Sequence, residues 1–293
     1  MTTTAAATKP KLPLWSTVSE SYRLTFRNLP TLMRIAWPWL LVLVLVCGVI
    51  RWLAWPYRDP DTTKLHVISW TFDLLTLVVT VAIGALIAVP WHRFILLSED
   101  PGASSPMASR RSASYYFALG LVFVLPFEIP QLASFTTHYM TTGETSTDAT
   151  NWIWWWLLLL VPTAYFNVKA SLAFPALAVT QNDTPFAQAW WASDGNFWRL
   201  LLGAILSTGL AILILGILGW ILLSQLGENL SFNEEQATSA SSDIIWMFVG
   251  MSYVTFLSLA YRHFFGPIEV EAAASTPPNP HQSPRDGDAR SER

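Results

Sequence analysis

The chain alternates long apolar stretches with shorter polar segments, and this alternation determines the predicted fold. Six apolar stretches each approach the roughly 20 residues that a helix needs to cross the hydrocarbon core of a bilayer. Because that core holds no water to bond free backbone amides, such a stretch is expected to be helical. The six stretches lie at 35–55, 68–90, 114–136, 152–174, 198–223 and 244–264. The pattern predicts an all-α fold, a six-span transmembrane helical bundle that occupies residues 14–266.

Prolines and tryptophans refine the limits of these spans. Three prolines interrupt the third and fourth spans: Pro126, Pro130 and Pro162. Trp70 and Trp91 bracket the second span at a separation of about 31 Å, at 1.5 Å per helical residue. Trp198 and Trp220 bracket the fifth span at a similar separation. These spacings match the aromatic belts that mark the two surfaces of a bilayer.

The distribution of basic residues predicts the orientation. Of the 17 Lys and Arg residues, only Arg51, Arg58 and Lys64 fall outside if the N-terminus is cytoplasmic. Such a positive-inside bias places both termini in the cytoplasm and the chain in a bacterial inner membrane. Residues 1–13 and 267–293 then form cytoplasmic tails, and the composition of the second predicts disorder. The first apolar run is too long for a typical signal core, so we expect it to remain as an anchor.

Two short amphipathic segments precede spans in a similar way. The first has Thr17 and Glu20 at the spacing of a capping box and stops at Asn28. Its apolar face is expected to comprise Val18, Tyr22, Thr25, Phe26 and Leu29. The second starts at Thr184-Pro185 and stops at Gly195-Asn196, residues suited to left-handed helix termination. Both segments are predicted to be helices that lie in the cytoplasmic interface.

These two segments also suggest an internal repeat. An offset of 168 residues superposes Ser16 on Thr184, Tyr22 on Trp190, Asn28 on Asn196 and Leu32 on Leu200. A third, weaker copy begins at Ser105-Pro106. The chain would then consist of three units, each an interfacial helix followed by a two-span hairpin. Internal repeats are common in transporters, but shared membrane constraints produce the same pattern, and both explanations stay open.

One stretch carries a resemblance to known proteins. It runs from Ser171 to Leu201 and reads SLAFPALAVTQNDTPFAQAWWASDGNFWRLL. The chain here resembles uncharacterised bacterial multi-pass membrane proteins and the membrane domain found with some glycerophosphodiester phosphodiesterases. The matching residues are Pro175-Ala176, Ala189-Trp190 and the run from Gly195 to Leu200. The resemblance implies the same membrane plan over about residues 14–266, but no phosphodiesterase domain and hence no such activity. Those families carry basic residues in the second entry helix, where this chain has Trp191 and Asp194.

Composition supports lipid as the solvent and excludes several functions. Only 13% of the residues are charged and 52% are hydrophobic, whereas about 25% charged is usual for soluble domains. The net charge of −3 argues against nucleic acid as a partner. The single cysteine, Cys47, permits no disulfide framework. Since no metal-ligand spacing, nucleophile elbow, phosphate loop or dinucleotide fingerprint occurs, we expect no enzyme, no metal and no cofactor.

Glycines inside spans are predicted to be packing positions, because small residues let membrane helices approach closely. They are Gly84 in the second span and Gly203, Gly209, Gly216 and Gly219 in the fifth.

Asp73 and Glu128 form a candidate intramembrane polar site. Ionisable groups in lipid are costly and are functional candidates by default. The alternatives are that Asp73 reaches interfacial water or pairs with a basic residue, and that Glu128 marks the end of the third span. The possible basic partners are Arg51, Arg58 and Lys64.

Basic residues at the inner ends of two spans are candidate contacts for a lipid headgroup. They are His92 and Arg93 in WHRF, and Arg262 and His263 in YRHFF. Ordinary anchoring at the interface is the simpler explanation for them. The sequence predicts an accessory, scaffold or lipid-associated membrane protein, with lipid and possibly a membrane protein as partners. The alternative is a small-solute or proton-coupled transporter that uses Glu128 and Asp73.

Overall fold

The computed structural model describes residues 10–57, 63–100, 112–126, 149–179, 185–226 and 232–266. Their regular structure is helical, with no strand among these residues, which confirms the all-α prediction. The elements are α1 (Leu14–Arg27), α2 (Leu29–Ala54), a 3₁₀ turn (Trp55–Tyr57), α3 (Thr63–Leu97), α4 (Ser112–Pro126), α5 (Ala149–Ala170), α6 (Ala173–Val179), α7 (Pro185–Ala192), α8 (Phe197–Leu226) and α9 (Phe232–Phe265).

Two of the described segments are long and apolar enough to cross a membrane. They are Leu29–Tyr57 and Trp70–Leu97. Ser112–Pro126 and Phe197–Gly209 are shorter apolar helices. Length and composition therefore identify two membrane-length helices in the described part of the chain, where the sequence predicted six. The predicted third span reaches residue 136, beyond the last described residue of α4.

The fourth predicted span, 152–174, is wrong at its end. Helix α5 continues through Pro162 but stops at Ala170, and α6 begins at Ala173. The turn between them is held locally, because the Ser171 hydroxyl donates to the Val168 carbonyl at 2.9 Å. The backbone amide of Phe174 donates to the Ser171 carbonyl at 3.2 Å.

Helix α1 ends as predicted and begins differently. Its C-cap is Asn28, whose side-chain amide donates to the Leu24 carbonyl at 2.9 Å. It starts at Leu14, and its N-cap, Pro13, makes no side-chain capping bond. The predicted capping box is therefore wrong. Thr17 lies inside the helix, where its hydroxyl donates to the Pro13 carbonyl at 2.8 Å.

The buried face of α1 also differs from the predicted apolar face. The buried residues are small or hydroxylated: Thr17, Val18, Ser21 and Thr25. Trp15 and Phe26 are 74% and 66% exposed. Small side chains allow the close helix approach that bulky aromatic residues would prevent. Of the predicted apolar face, Val18 and Thr25 are therefore buried, whereas Phe26 is exposed.

The helices pack as two hairpins with short helices laid across them. Helices α2 and α3 pack on each other, as do α8 and α9. Helix α1 packs mainly across α8 and α9, whereas α7 packs on α5 and α6. Gly203 of α8 lies under the ring of Phe256 of α9, and a Cβ at this glycine would overlap that ring. The packing prediction is confirmed at Gly203 but not at Gly84 or Gly209, where a Cβ would meet nothing within 4 Å.

The described structure has a mainly apolar core, but it also exposes large apolar side chains and buries several polar ones. Helix α2 exposes large apolar side chains along its length, with Leu45 65% and Trp52 62% exposed. The interior, in contrast, contains fully buried polar side chains. Among them are Ser21, His92, Ser193, Ser207, Thr255 and Ser258.

Candidate functional site

The structure separates the residues that the sequence singled out. Asp73 lies on α3 with an exposed side chain. Glu128 lies outside the described residues, so the pairing of these two carboxylates and the transporter alternative stay predictions. The four basic candidates do not form one cluster either. His92 is buried, Arg93 is tied to an acidic neighbour, and Arg262 and His263 are exposed.

His92 belongs to the interior of the protein and not to the lipid-facing surface. Its Nδ1 atom lies 2.7 Å from the Ser258 hydroxyl of α9. Its Nε2 atom lies 3.2 Å from the Tyr116 hydroxyl of α4. The ring is completely buried, so it does not present a nitrogen to a headgroup in this arrangement.

Ser258 and His92 are as close as a catalytic nucleophile and its base, but a substrate cannot reach them. Both Ser258 and His92 are 0% exposed, and the Ser258 hydroxyl also donates to the Val254 carbonyl at 3.0 Å. A substrate could not reach the hydroxyl without opening the helix packing. The described geometry therefore supports a structural role, in which fully satisfied polar groups fix how helices pack together.

Trp91, next to His92, continues this network. It was predicted to mark a membrane surface, but its side chain is fully buried. Its indole nitrogen donates to the Thr255 hydroxyl at 2.8 Å, and that hydroxyl lies 2.9 Å from the Thr25 hydroxyl of α1. The network thus joins α1, α3, α4 and α9. Thr255 and Ser258 were missed, although their spacing of three residues places them on one helix face.

Arg93 makes a two-pronged ion pair. Its guanidinium donates to both carboxylate oxygens of Glu99, at 2.8 and 2.7 Å. A third bond reaches the Ala178 carbonyl at 3.0 Å. Because planar paired contacts of this type are strong and directional, Arg93 fixes the end of α3 to α6.

Lys169 forms the most enclosed ion pair. Its ammonium pairs with Asp194, donates to the Trp190 carbonyl at 3.3 Å, and lies 5.2 Å from the centre of the Trp190 ring. The Lys169 side chain is 4% exposed, against 39% for Asp194. Asp194 therefore compensates a buried cation at the end of α5. Sequence reasoning missed this pair because Lys169 ends α5 whereas Asp194 lies 25 residues later, in the turn after α7.

Asn196 and Arg199 hold the first described residues in place. The Asn196 side chain accepts from the Leu12 amide at 3.0 Å and donates to the Pro10 carbonyl at 3.1 Å. Arg199 donates to the Leu12 carbonyl at 2.6 Å. Gly195 adopts a φ of +79°, which favours glycine and confirms the predicted left-handed termination after α7.

Arg262 and His263 border an open groove between α1 and α9, with a volume of about 370 Å³. Ser16, Thr17, Glu20 and Leu259 complete its lining. Glu20 accepts from Arg23 through both carboxylate oxygens at 2.8 Å, and this hydrogen bond raises the pKa of Arg23. No group of three or more potential metal-ligating side chains occurs among the described residues. The groove thus has charged side chains of both signs in its lining, Glu20 on α1 and Arg262 on α9.

No protein-family model, curated protein or solved structure matches the chain.

Proposed function

We propose that the chain is a multi-pass inner-membrane protein with six helical spans, both termini in the cytoplasm, and a lipid-associated scaffold role without catalysis. The observation that supports this most strongly is the set of large apolar side chains that α2 exposes, together with the polar side chains buried between the helices. Helix α2 presents Leu, Val and Trp side chains outward, while hydroxyl and imidazole groups lie buried between the helices.

The energetics favour a hydrocarbon environment. Keeping one large apolar side chain in water forgoes about 1.5–3 kcal/mol relative to burying it. Several of them along α2 together forgo an amount comparable with the ~5–15 kcal/mol of net stability that a domain has. In a bilayer the same side chains carry no such cost. Buried hydroxyls that find partners, as Thr25 and Thr255 do, are a common means of joining membrane helices.

The polar contacts that hold the helices together support the scaffold role. The pairs Lys169–Asp194 and Arg93–Glu99 both involve basic residues that the charge bias assigns to the cytoplasmic side. Asn196 and Arg199 attach residues 10–12 to the same end. Such an end is a rigid, polar surface on which lipid headgroups or another membrane protein can dock.

Cysteine accessibility tests the topology directly. Cys47 is the single cysteine and is buried, so C47S provides a background without reactive thiols. In that background we expect Trp55→Cys to react with a membrane-impermeant maleimide in spheroplasts. Trp15→Cys and Trp191→Cys should react only in inverted vesicles, and Leu45→Cys in neither preparation. Free labelling of Leu45→Cys, or a protein that stays monodisperse without detergent, would contradict the proposal.

A further inference from the structure

The groove between α1 and α9 has the size of a small-ligand site. The two helices are joined at Thr25 and Thr255, whose hydroxyls lie 2.9 Å apart. Toward the start of α1 and the end of α9 they border the groove of about 370 Å³, within the range of ~300–1,000 Å³ that ligand pockets occupy. The guanidinium of Arg262 has no hydrogen-bonding or ionic partner in the described part of the chain.

The two walls of the groove carry opposite hydrogen-bonding character. The α9 wall carries Arg262 and His263, and the guanidinium is a permanent cation with donors only. The α1 wall carries acceptors. The hydroxyls of Ser16 and Thr17 both donate their protons to the Pro13 carbonyl, at 3.0 and 2.8 Å, so their oxygens can only accept further bonds.

Glu20 adds a carboxylate to the acceptor wall. Each of its oxygens receives one bond from Arg23 at 2.8 Å. An ionised carboxylate has about four acceptor positions, so Glu20 keeps capacity to accept from a ligand as well.

We infer that this groove binds the phosphoethanolamine headgroup of a phospholipid, with the phosphate on Arg262 and His263 and the ammonium on Ser16, Thr17 and Glu20. An arginine suits a phosphate because its planar donors match the phosphate oxygens. An ammonium has three donors and no acceptor, which matches the opposite wall. A headgroup with a phosphate but no ammonium would leave the acceptors of the α1 wall without a charged donor.

The surroundings favour a lipid over a soluble phosphate compound. Trp15 precedes Ser16 and is 74% exposed, and Phe265 follows Arg262 and His263 with its ring exposed. Exposed aromatic residues of this kind collect at the headgroup level of a bilayer. The inference rests on the proposed membrane location, which places this end of α9 at the cytoplasmic surface.

Lipid titration of the full chain in mild detergent tests the inference. The probes are dihexanoyl phosphatidylethanolamine, dihexanoyl phosphatidylglycerol and inorganic phosphate, and native mass spectrometry counts the bound ligand. We expect the ethanolamine lipid to bind at least tenfold more tightly than the glycerol lipid. Arg262→Gln should weaken ethanolamine-lipid binding at least tenfold. Glu20→Gln should remove most of the preference between the two lipids.

Two matched variants separate the groove from general surface charge. Arg34→Gln removes an exposed arginine that pairs with Asp100 and does not line the groove, so binding should not change. Arg23→Gln frees the Glu20 carboxylate and should keep or increase the preference for the ethanolamine lipid. Circular dichroism and gel filtration verify that each variant is folded.

Three results would overturn the inference: equal binding of the two lipids, an unaffected Arg262→Gln variant, or inorganic phosphate competing as well as the ethanolamine lipid. A chain that needs detergent but shows no headgroup preference loses this inference and keeps the proposed membrane location. A chain that is monodisperse without detergent loses both.

Discussion

Helices α1 and α7 occupy equivalent places in the aligned sequence but attach to the protein in different ways. Each is followed by an asparagine whose carbonyl accepts from the amide four residues on, Asn28 from Leu32 and Asn196 from Leu200, both at 2.9 Å. Helix α1 then docks on α8 and α9 through hydroxyl groups, whereas α7 docks on α5 and α6 through aromatic rings and Lys169.

The contacts of Tyr22 and Trp190, which the offset of 168 residues superposes, illustrate this difference. The Tyr22 hydroxyl donates to the Leu206 carbonyl of α8 at 2.8 Å. The centre of the Trp190 ring lies 6.0 Å from that of Phe166 and 5.8 Å from that of Phe186. The two segments therefore share the turn at the asparagine. Individual side chains determine which helices each segment packs against. The third predicted copy, from Ser105-Pro106, lies outside the described residues.

Burial agrees at some aligned positions but not at others, since Val18 is buried whereas Phe186 is 39% exposed. Ser21 and Ala189, Thr25 and Ser193, and Leu32 and Leu200 are all buried. These positions follow a helical spacing on the packed side of each unit.

Removing Asp194 should break the attachment of α7 most severely. Asp194→Ala leaves the Lys169 ammonium, 4% exposed, without its counter-ion. Breaking a buried ion pair from one side costs about 3–5 kcal/mol, and we expect about 3 because water reaches Asp194. Thermal unfolding in detergent measures the loss. Lys169→Met removes the buried charge itself and should cost less, so a larger loss in Lys169→Met than in Asp194→Ala would contradict the assignment.

A substitution at Gly203 tests the close packing of α8 against α9, the two helices on which α1 lies. Gly203→Ala places a methyl group against the buried Phe256 ring, and overpacking of this kind costs about 1–3 kcal/mol. Gly209→Ala is the matched control on the same helix, because nothing lies within 4 Å of its added Cβ. The control should be neutral or slightly stabilising, since alanine favours a helix over glycine. Equal effects of the two substitutions on the unfolding temperature would refute the close contact.

Thr255 tests the attachment of α1 itself. Thr255→Val removes the acceptor of the Trp91 indole and the neighbour of the Thr25 hydroxyl. A buried donor left unsatisfied costs about 1–3 kcal/mol. Ser207→Ala provides the control, because the Ser207 hydroxyl is buried but donates only to Ala204 within its own helix. We expect Thr255→Ser to restore most of the stability in the same unfolding measurement. If Thr255→Ser does not restore stability, the loss in Thr255→Val comes from a change in side-chain shape and not from the lost hydrogen bonds.

The features that could be predicted from the sequence are those set by neighbouring residues. The start of α7 at Pro185 and the turn at Gly195 followed from local backbone preferences. The burial of Trp91 and the Lys169–Asp194 pair did not, because they depend on which helices meet. Helix α3 is apolar over most of its circumference, so periodicity does not distinguish its packed face from its exposed face. The sequence singled out Arg262 and His263 but grouped them with His92 and Arg93, and the α1 residues that line the groove with them were not predicted.

The two equivalent asparagines give the closest matched comparison and the smallest expected effect. Asn196→Ala removes two bonds to residues 10–12, whereas Asn28→Ala removes one bond to Leu24 within the preceding helix. Because net hydrogen bonds contribute about 0.5–1.5 kcal/mol each, Asn196→Ala should lose more stability. It should also speed proteolysis near residues 10–12, which Asn28→Ala should not. Equal cleavage rates in the two variants would mean that the asparagines serve the same local purpose, and that the first described residues are held mainly by Arg199.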